Sequence, residues 1–168
     1  MSIPDNVFRY ELGRDVTKIQ TPLKVLNPPG RQEKVVTAVW DTGSTVSSIS
    51  ERIVRELNMT TDGRVVATGI SGDVCKSSSI CFAFPGNQRF AALVEASHIP
   101  DVPGMPDFII GLDIISMGEF RLTWEDGRMV LYFIFDTSQF IDFEQDDGQT
   151  IVEKMSRFNE KLRKMWGK

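Results

Sequence analysis

Residues 35–44 read VVTAVWDTGS. The first six are uncharged and mostly β-branched or aromatic, the composition of a largely buried strand. The chain then runs straight into Asp41-Thr42-Gly43-Ser44. A carboxylate delivered by a buried strand is costly unless its surroundings use the charge. Asp41 is therefore a candidate catalytic acid or base. The competing reading is a plain turn, because Asp, Gly and Ser all favour turns for their own backbone reasons.

Outward from that stretch the text is strand-like and short-ranged. TPLKVLN at 21–27 alternates as a strand and ends in the turn signal Pro28-Pro29-Gly30. SERIVREL at 50–57 has a serine N-cap and apolar Ile53, Val54 and Leu57, which predicts a short helix. Residues 63–84 are strand-like apart from Gly69-Ile70-Ser71-Gly72-Asp73, a hairpin tip. Another strand is expected at 90–94, then a loop with three prolines at 100–106. FIIGLD at 108–113 reads as a buried strand ending in Gly111, with one helical turn over 114–118. Segments 120–124 and 129–135 form a closing hairpin. Many short strands with few helices predict a mostly β domain.

Composition narrows the function classes. The 168 residues carry a net charge of -4, which argues against phosphate-backbone binding, and no nucleic-acid partner is expected. The apolar runs are too short to cross a bilayer, and residues 1–20 are too polar for a signal peptide. A soluble, cytoplasmic protein without a membrane partner is expected. Cys75 and Cys81, if on one strand, share a face about 20 Å apart, so they cannot bridge each other. Two cysteines and one histidine, His98 in a Pro-flanked loop, make no metal site. No metal or organic cofactor is called for. The tail differs: 136–147 is acidic, and after Gly148 the apolar residues Ile151, Val152, Met155, Phe158 and Leu162 recur at helical spacing opposite a basic face. The expected organisation is an N-terminal extension at 1–20, one domain at 21–135, and an acidic linker with an amphipathic helix at 136–168.

Three features in this order resemble the retropepsins, the retroviral proteases and their cellular relatives. They are the strand and triplet at 35–44, TGISG at 68–72 and FIIGLDI at 108–114. The Gly-Leu-Asp continuation is closer to cellular and bacterial members than to viral ones. The resemblance implies a homodimeric half-barrel with short helices and a C-terminal helical tail. It implies that Asp41 is catalytic, that Thr42 interlocks with its counterpart, and that Gly43 offers its carbonyl to a peptide or protein substrate. Thr68, Gly69, Ile70, Ser71 and Gly72 would close over that substrate, and Gly111 would let the backbone pack against the catalytic loop. Where viral members carry an acid and an arginine that pair, this chain has Thr45 and Leu112, so both ends of that ion pair are gone.

Peptide hydrolysis without a metal needs one carboxylate to deprotonate water and one acid to protonate the carbonyl. As in aspartic proteases generally, two close aspartates cannot both ionise and so divide those roles. This chain holds one Asp-Thr-Gly triplet. The second Asp41 must come from another copy. The Ser44 hydroxyl is expected to donate to the outer oxygen of Asp41. The alternative function is a dimer of the same fold that binds extended peptide or protein without cutting it. Phe82, Phe84, Ile109 and Ile110 are candidate pocket or core residues.

Overall fold

A computed structural model describes residues 2–27, 32–61, 63–66, 74–145, 148, 150, 153–154, 156–157 and 160. In chain order the elements are β1 (Val7–Gly13), β2 (Gln20–Asn27), β3 (Gln32–Trp40), β4 (Ser48–Ser50) and helix α1 (Glu51–Glu56). There follow β5 (Gly63–Val66), β6 (Val74–Ala83), β7 (Phe90–Ile99), β8 (Phe108–Ile110) and the single turn α2 (Leu112–Ile115). β9 (Gly118–Glu125), β10 (Arg128–Phe135) and the short β11 (Ile141–Asp142) complete the set. The protein is mostly β, as the spacing of short strands predicts.

Six strands hydrogen-bond in a ring, in the order β7, β4, β8, β3, β2, β6, and β6 returns to β7. A sheet closed on itself removes most of its edges. β5 extends it beside β6, and β11 beside β7. A second sheet, β1-β10-β9, packs against this barrel. The N-terminal residues set apart as an extension thus supply β1, which pairs antiparallel with β10 from Val7 opposite Ile134 onward. Phe8, Tyr10 and Leu12 alternate with Arg9 and Glu11 along it, placing the apolar set on the core face.

The aromatic residues fill the space between the sheets. Trp40, at the end of β3, packs against Phe84 at 6.1 Å, Phe133 at 5.2 Å and Phe120 at 5.3 Å between ring centroids. Its indole N–H donates to Thr21 Oγ1 at 2.9 Å, so no polar atom is stranded. Phe82, Phe84 and Ile110 are core residues, buried to within 1%. Ser50 caps α1, its hydroxyl accepting from Arg52 N at 3.2 Å, and Ile53 and Val54 face inward.

Two local readings shift. The helical turn begins at Leu112 and not at Ile114, because Gly111 is extended and serves as its N-cap. β7 runs on to Ile99, which puts His98 on a strand; its Nε2 lies 2.8 Å from Ser78 Oγ. Cys75 and Cys81 both lie on β6, and burial pushes the Cys81 thiol up to about 12, leaving it unreactive. Most of 148–168, including the apolar residues of the expected tail helix, lies outside the described residues. No helix among the described residues is long and apolar enough to cross a membrane.

Trp40 anchors the strand that carries Asp41 and touches both sheets. Trp40→Ala should cost about 3–5 kcal/mol of unfolding free energy, read from urea denaturation. Trp40→Phe, which loses the Thr21 bond and part of the ring, should cost less.

Candidate active site

The loop at 41–47 joins β3 to β4, and β8 passes between those two strands. β8 is parallel to β3, with Trp40 opposite Ile110, and antiparallel to β4, with Ile49 opposite Phe108. The loop is therefore pinned from behind by the segment that follows β8. Asp41 N donates to Ile110 O at 2.9 Å, Leu112 N to Ser44 O at 2.8 Å, and Gly111 N to Ser47 Oγ at 3.0 Å. Each bond satisfies a backbone group that would otherwise be stranded behind the loop.

Gly111 is required by contact. A Cβ there would meet Ser44 O and Val46 C at 2.9 Å and Ser47 N at 3.0 Å, all of them backbone. Real Cβ atoms do not sit that close to rigid main chain, so any side chain would push the loop away. Beside it, Asp113 accepts from Ser47 N at 2.8 Å, from Ser47 Oγ at 2.5 Å and from Ile114 N at 2.9 Å. Burial raises the Asp113 carboxyl above the ordinary range, and the bonds from Ser47 and Ile114 oppose that shift.

The front of the loop is open. Asp41, Thr42 and Gly43 are exposed in the single chain, although the strand leading to them is buried at Ala38 and Trp40. The Asp41 carboxylate accepts through Oδ1 from Gly43 N at 2.9 Å, a local turn bond that fixes its heading. The Ser44 hydroxyl donates to Val46 O at 2.7 Å. Its single proton is committed there, so it does not serve the outer oxygen of Asp41 as expected. The carbonyl two residues on accepts it and closes the turn.

Solved retropepsin-like structures match this chain. A retropepsin-like aspartic protease from Rickettsia conorii does so at 9% identity with a TM-score of 0.45, over 77% of this chain and 94% of that one. The retroviral protease-like domain of Ddi1 from Leishmania major matches at 17% identity and a TM-score of 0.46, over 79% of this chain and 99% of that one. A foamy viral protease-reverse transcriptase matches at 18% identity and a TM-score of 0.40, over 62% of this chain and 16% of that one. No protein-family model matches the chain, and no curated protein matches its sequence.

The structure thus brings Asp41, Thr42, Gly43, Ser44 and Gly111 together. Thr68, Gly69, Ile70, Ser71 and Gly72 lie outside the described residues. The strands flanking them pair antiparallel, with Val66 opposite Val74. Thr45 and Leu112, the vacated ion-pair positions, are both exposed. The link between loop and helix is made instead by Ser47 and Asp113, 66 residues apart, a pair the sequence reading did not find. Only the aspartate directly after Gly111-Leu112 hinted at it. A cleft of about 580 Å³ lined by Asp5, Arg89, Thr137 and Asp142 contains none of the loop residues. Its arginine is already held by both oxygens of Asp142, at 3.0 and 2.9 Å. Among the described residues no group of three His, Cys, Asp or Glu could hold a metal ion.

Gly111→Ala should lower stability by about 1–3 kcal/mol through overpacking against backbone, read as a fall in the urea midpoint. Asp113 gives a pH signature. A carboxyl raised by burial favours the fold most below its ordinary range, and that advantage is lost as pH climbs through its raised value. The stability of wild type minus that of Asp113→Asn should therefore shrink from pH 3 to pH 7. A difference that grows over that range would show that the three hydrogen bonds outweigh burial.

Proposed function

We propose that the chain is an aspartic endopeptidase, active as a homodimer in which two Asp41 side chains activate water between them. The observation that carries this reading is the exposed Asp41-Thr42-Gly43 surface held at the end of β3, a strand buried at Val36, Ala38 and Trp40 and paired at that end with both β2 and β8. A turn built for stability alone has no need of a carboxylate at that place, since Asn or Gly would turn as well. One carboxylate cannot act as base and acid at the same moment, so the site of one chain is half a site. The second half is another Asp41 across a two-fold axis. One aspartate of the pair would take the proton of the attacking water. The other, protonated, would hydrogen-bond the scissile carbonyl and stabilise the charge that develops on it.

The same geometry supports an extended peptide as the substrate class. An exposed loop at a strand end, with Gly43 adding no side chain, can bond the main chain of an extended peptide. The segment at 68–72 would close over that peptide, as the sequence resemblance implies. The Rickettsia conorii neighbour is called a retropepsin-like aspartic protease, which fits this reading without deciding it. A cytoplasmic location is our expectation from the sequence, and no cofactor is proposed.

The test is cleavage of a mixed peptide library between pH 3 and 7 by wild type and Asp41→Asn. Wild type should cut, with a specific activity that rises as protein concentration drives dimerisation. Asp41→Asn should lose activity by about 10²- to 10⁴-fold or more while keeping its mass in solution. A wild-type dimer that binds peptides without cutting them would establish the binding-only alternative. A monomer indifferent to the Asp41 change would reduce the triplet to a turn.

A further inference from the structure

Val39, two residues before Asp41, begins a row of side chains that runs across the sheet from β3 to β6. Val39 is opposite Ile109, Ile109 opposite Ser48, Ser48 opposite Ser97, and Ser97 opposite Ser77. Their neighbours Ala38, Ile110, Ile49 and Ala96 belong to the core, so the pleat turns the row away from it. The row changes character along its length. Val39 and Ile109 are apolar and half-exposed, whereas Ser48, Ser97 and Ser77 are buried hydroxyls. Ser48 and Ser97 share a hydrogen bond at 2.6 Å between their oxygens, and Ser97 N donates to Ser47 O at 2.9 Å. The polar half is thus tied to the loop that carries Asp41.

Glu95 stands beside this polar half. It precedes Ser97 by two residues on β7 and so shares its face. β7 is parallel to β4, with Ser48 opposite Ser97, which sets Glu95 level with Val46 of the loop. Its carboxylate accepts from Ser77 Oγ through Oε1, and from Ser79 Oγ through Oε2 at 3.0 Å. The two hydroxyls fix where the carboxylate sits, but neither brings a positive charge. No cation among the described residues pairs with it. A half-buried carboxylate without a counter-charge costs stability, and a glutamine would bond two hydroxyls as well.

Position and charge together define what this place would take. Along the sheet β7 is three strands from β3, about 14 Å at the usual spacing. A residue two places from the cut bond of an extended peptide lies about 7 Å from it, so only a long side chain reaches Glu95. Lysine and arginine have that length, bring the missing charge, and can lay an apolar stem over Ile109.

We infer that Glu95 makes the endopeptidase selective for a lysine or arginine two residues from the bond it cuts. The Ser48, Ser97 and Ser77 hydroxyls form the floor of that subsite. This rests on the endopeptidase reading above and narrows its substrates to peptides with a basic residue near the cut. In a two-fold dimer the subsite occurs on both sides of the bond.

Two readouts of one mixed peptide library test it. Products cut by the wild type should carry lysine or arginine two residues from the new end about tenfold more often than glutamine. Peptides retained by immobilised Asp41→Asn protein, which should bind without cutting, should show the same bias. Glu95→Gln should abolish both biases, and Glu95→Lys should turn them toward aspartate and glutamate. Val46→Lys, which sets a lysine of the chain's own level with Glu95, should lower the bias while Glu95 stays in place. A bias absent from the wild type, or one that survives Glu95→Gln, would overturn the subsite and leave the catalytic reading standing. A Glu95→Gln rate that falls equally for basic and neutral peptides would overturn it too, reducing Glu95 to a structural part. A basic bias in retention that depends on Glu95, in a wild type that cuts nothing, would uphold the subsite and overturn the endopeptidase. Neither cutting nor retention would overturn both.

Discussion

The structure depends on the threading of β8 between β3 and β4. Sheets rarely let a later strand lie between two that are joined by a short loop, because that loop must then cross over the intruder's end. Here the crossing is possible since Gly111 has no side chain and lies within backbone contact of Ser44, Val46 and Ser47. Three residues of the loop then bond to what passes behind them: Asp41 to Ile110, Ser44 to Leu112 and Ser47 to Gly111. The loop has little freedom left. The same contacts that close the barrel hold Asp41 in place.

A second layer of support comes from the aromatic core. Trp40 bridges from β3 to Phe133 and Phe120 of the other sheet, so movement of that sheet is felt one residue from Asp41. β1 completes the arrangement by covering β10, with Phe8 packed on Phe84 at 4.8 Å between centroids. Packing of this density resists small displacements, which is what a site needing sub-ångström placement requires.

Much of this was legible because local chemistry and tertiary use agree. The β-branched run before Asp41, the serine cap of α1 and the Asp126-Gly127 turn each specify their own geometry within a few residues. β1 was not legible: residues 1–20 read as an extension, although Phe8, Tyr10 and Leu12 alternate with Arg9 and Glu11, because a strand this short is decided by its partner β10, about 120 residues away. The Ser47–Asp113 bond was out of reach for the same reason, because nothing local reports which distant hydroxyl a carboxylate will find. Ser44 shows the opposite failure. The sequence does not say which acceptor its hydroxyl will find, and the fold gives it the carbonyl of Val46.

Asp41 and Asp113 sit on opposite sides of one loop and illustrate how environment divides the work of identical side chains. Asp113 is half-buried, accepts three hydrogen bonds and is drawn toward its neutral form by burial. Those properties suit a fastener, which must not react. Asp41 is exposed and accepts one bond, from the glycine of its own turn. Its other oxygen has no hydrogen-bond donor among the described residues. A scaffold that ties the loop from behind through Ile110, Gly111 and Leu112 yet leaves that carboxylate oxygen unengaged in front is poorly explained by stability. It is what a half-site would look like if the missing half were a second copy of the same aspartate.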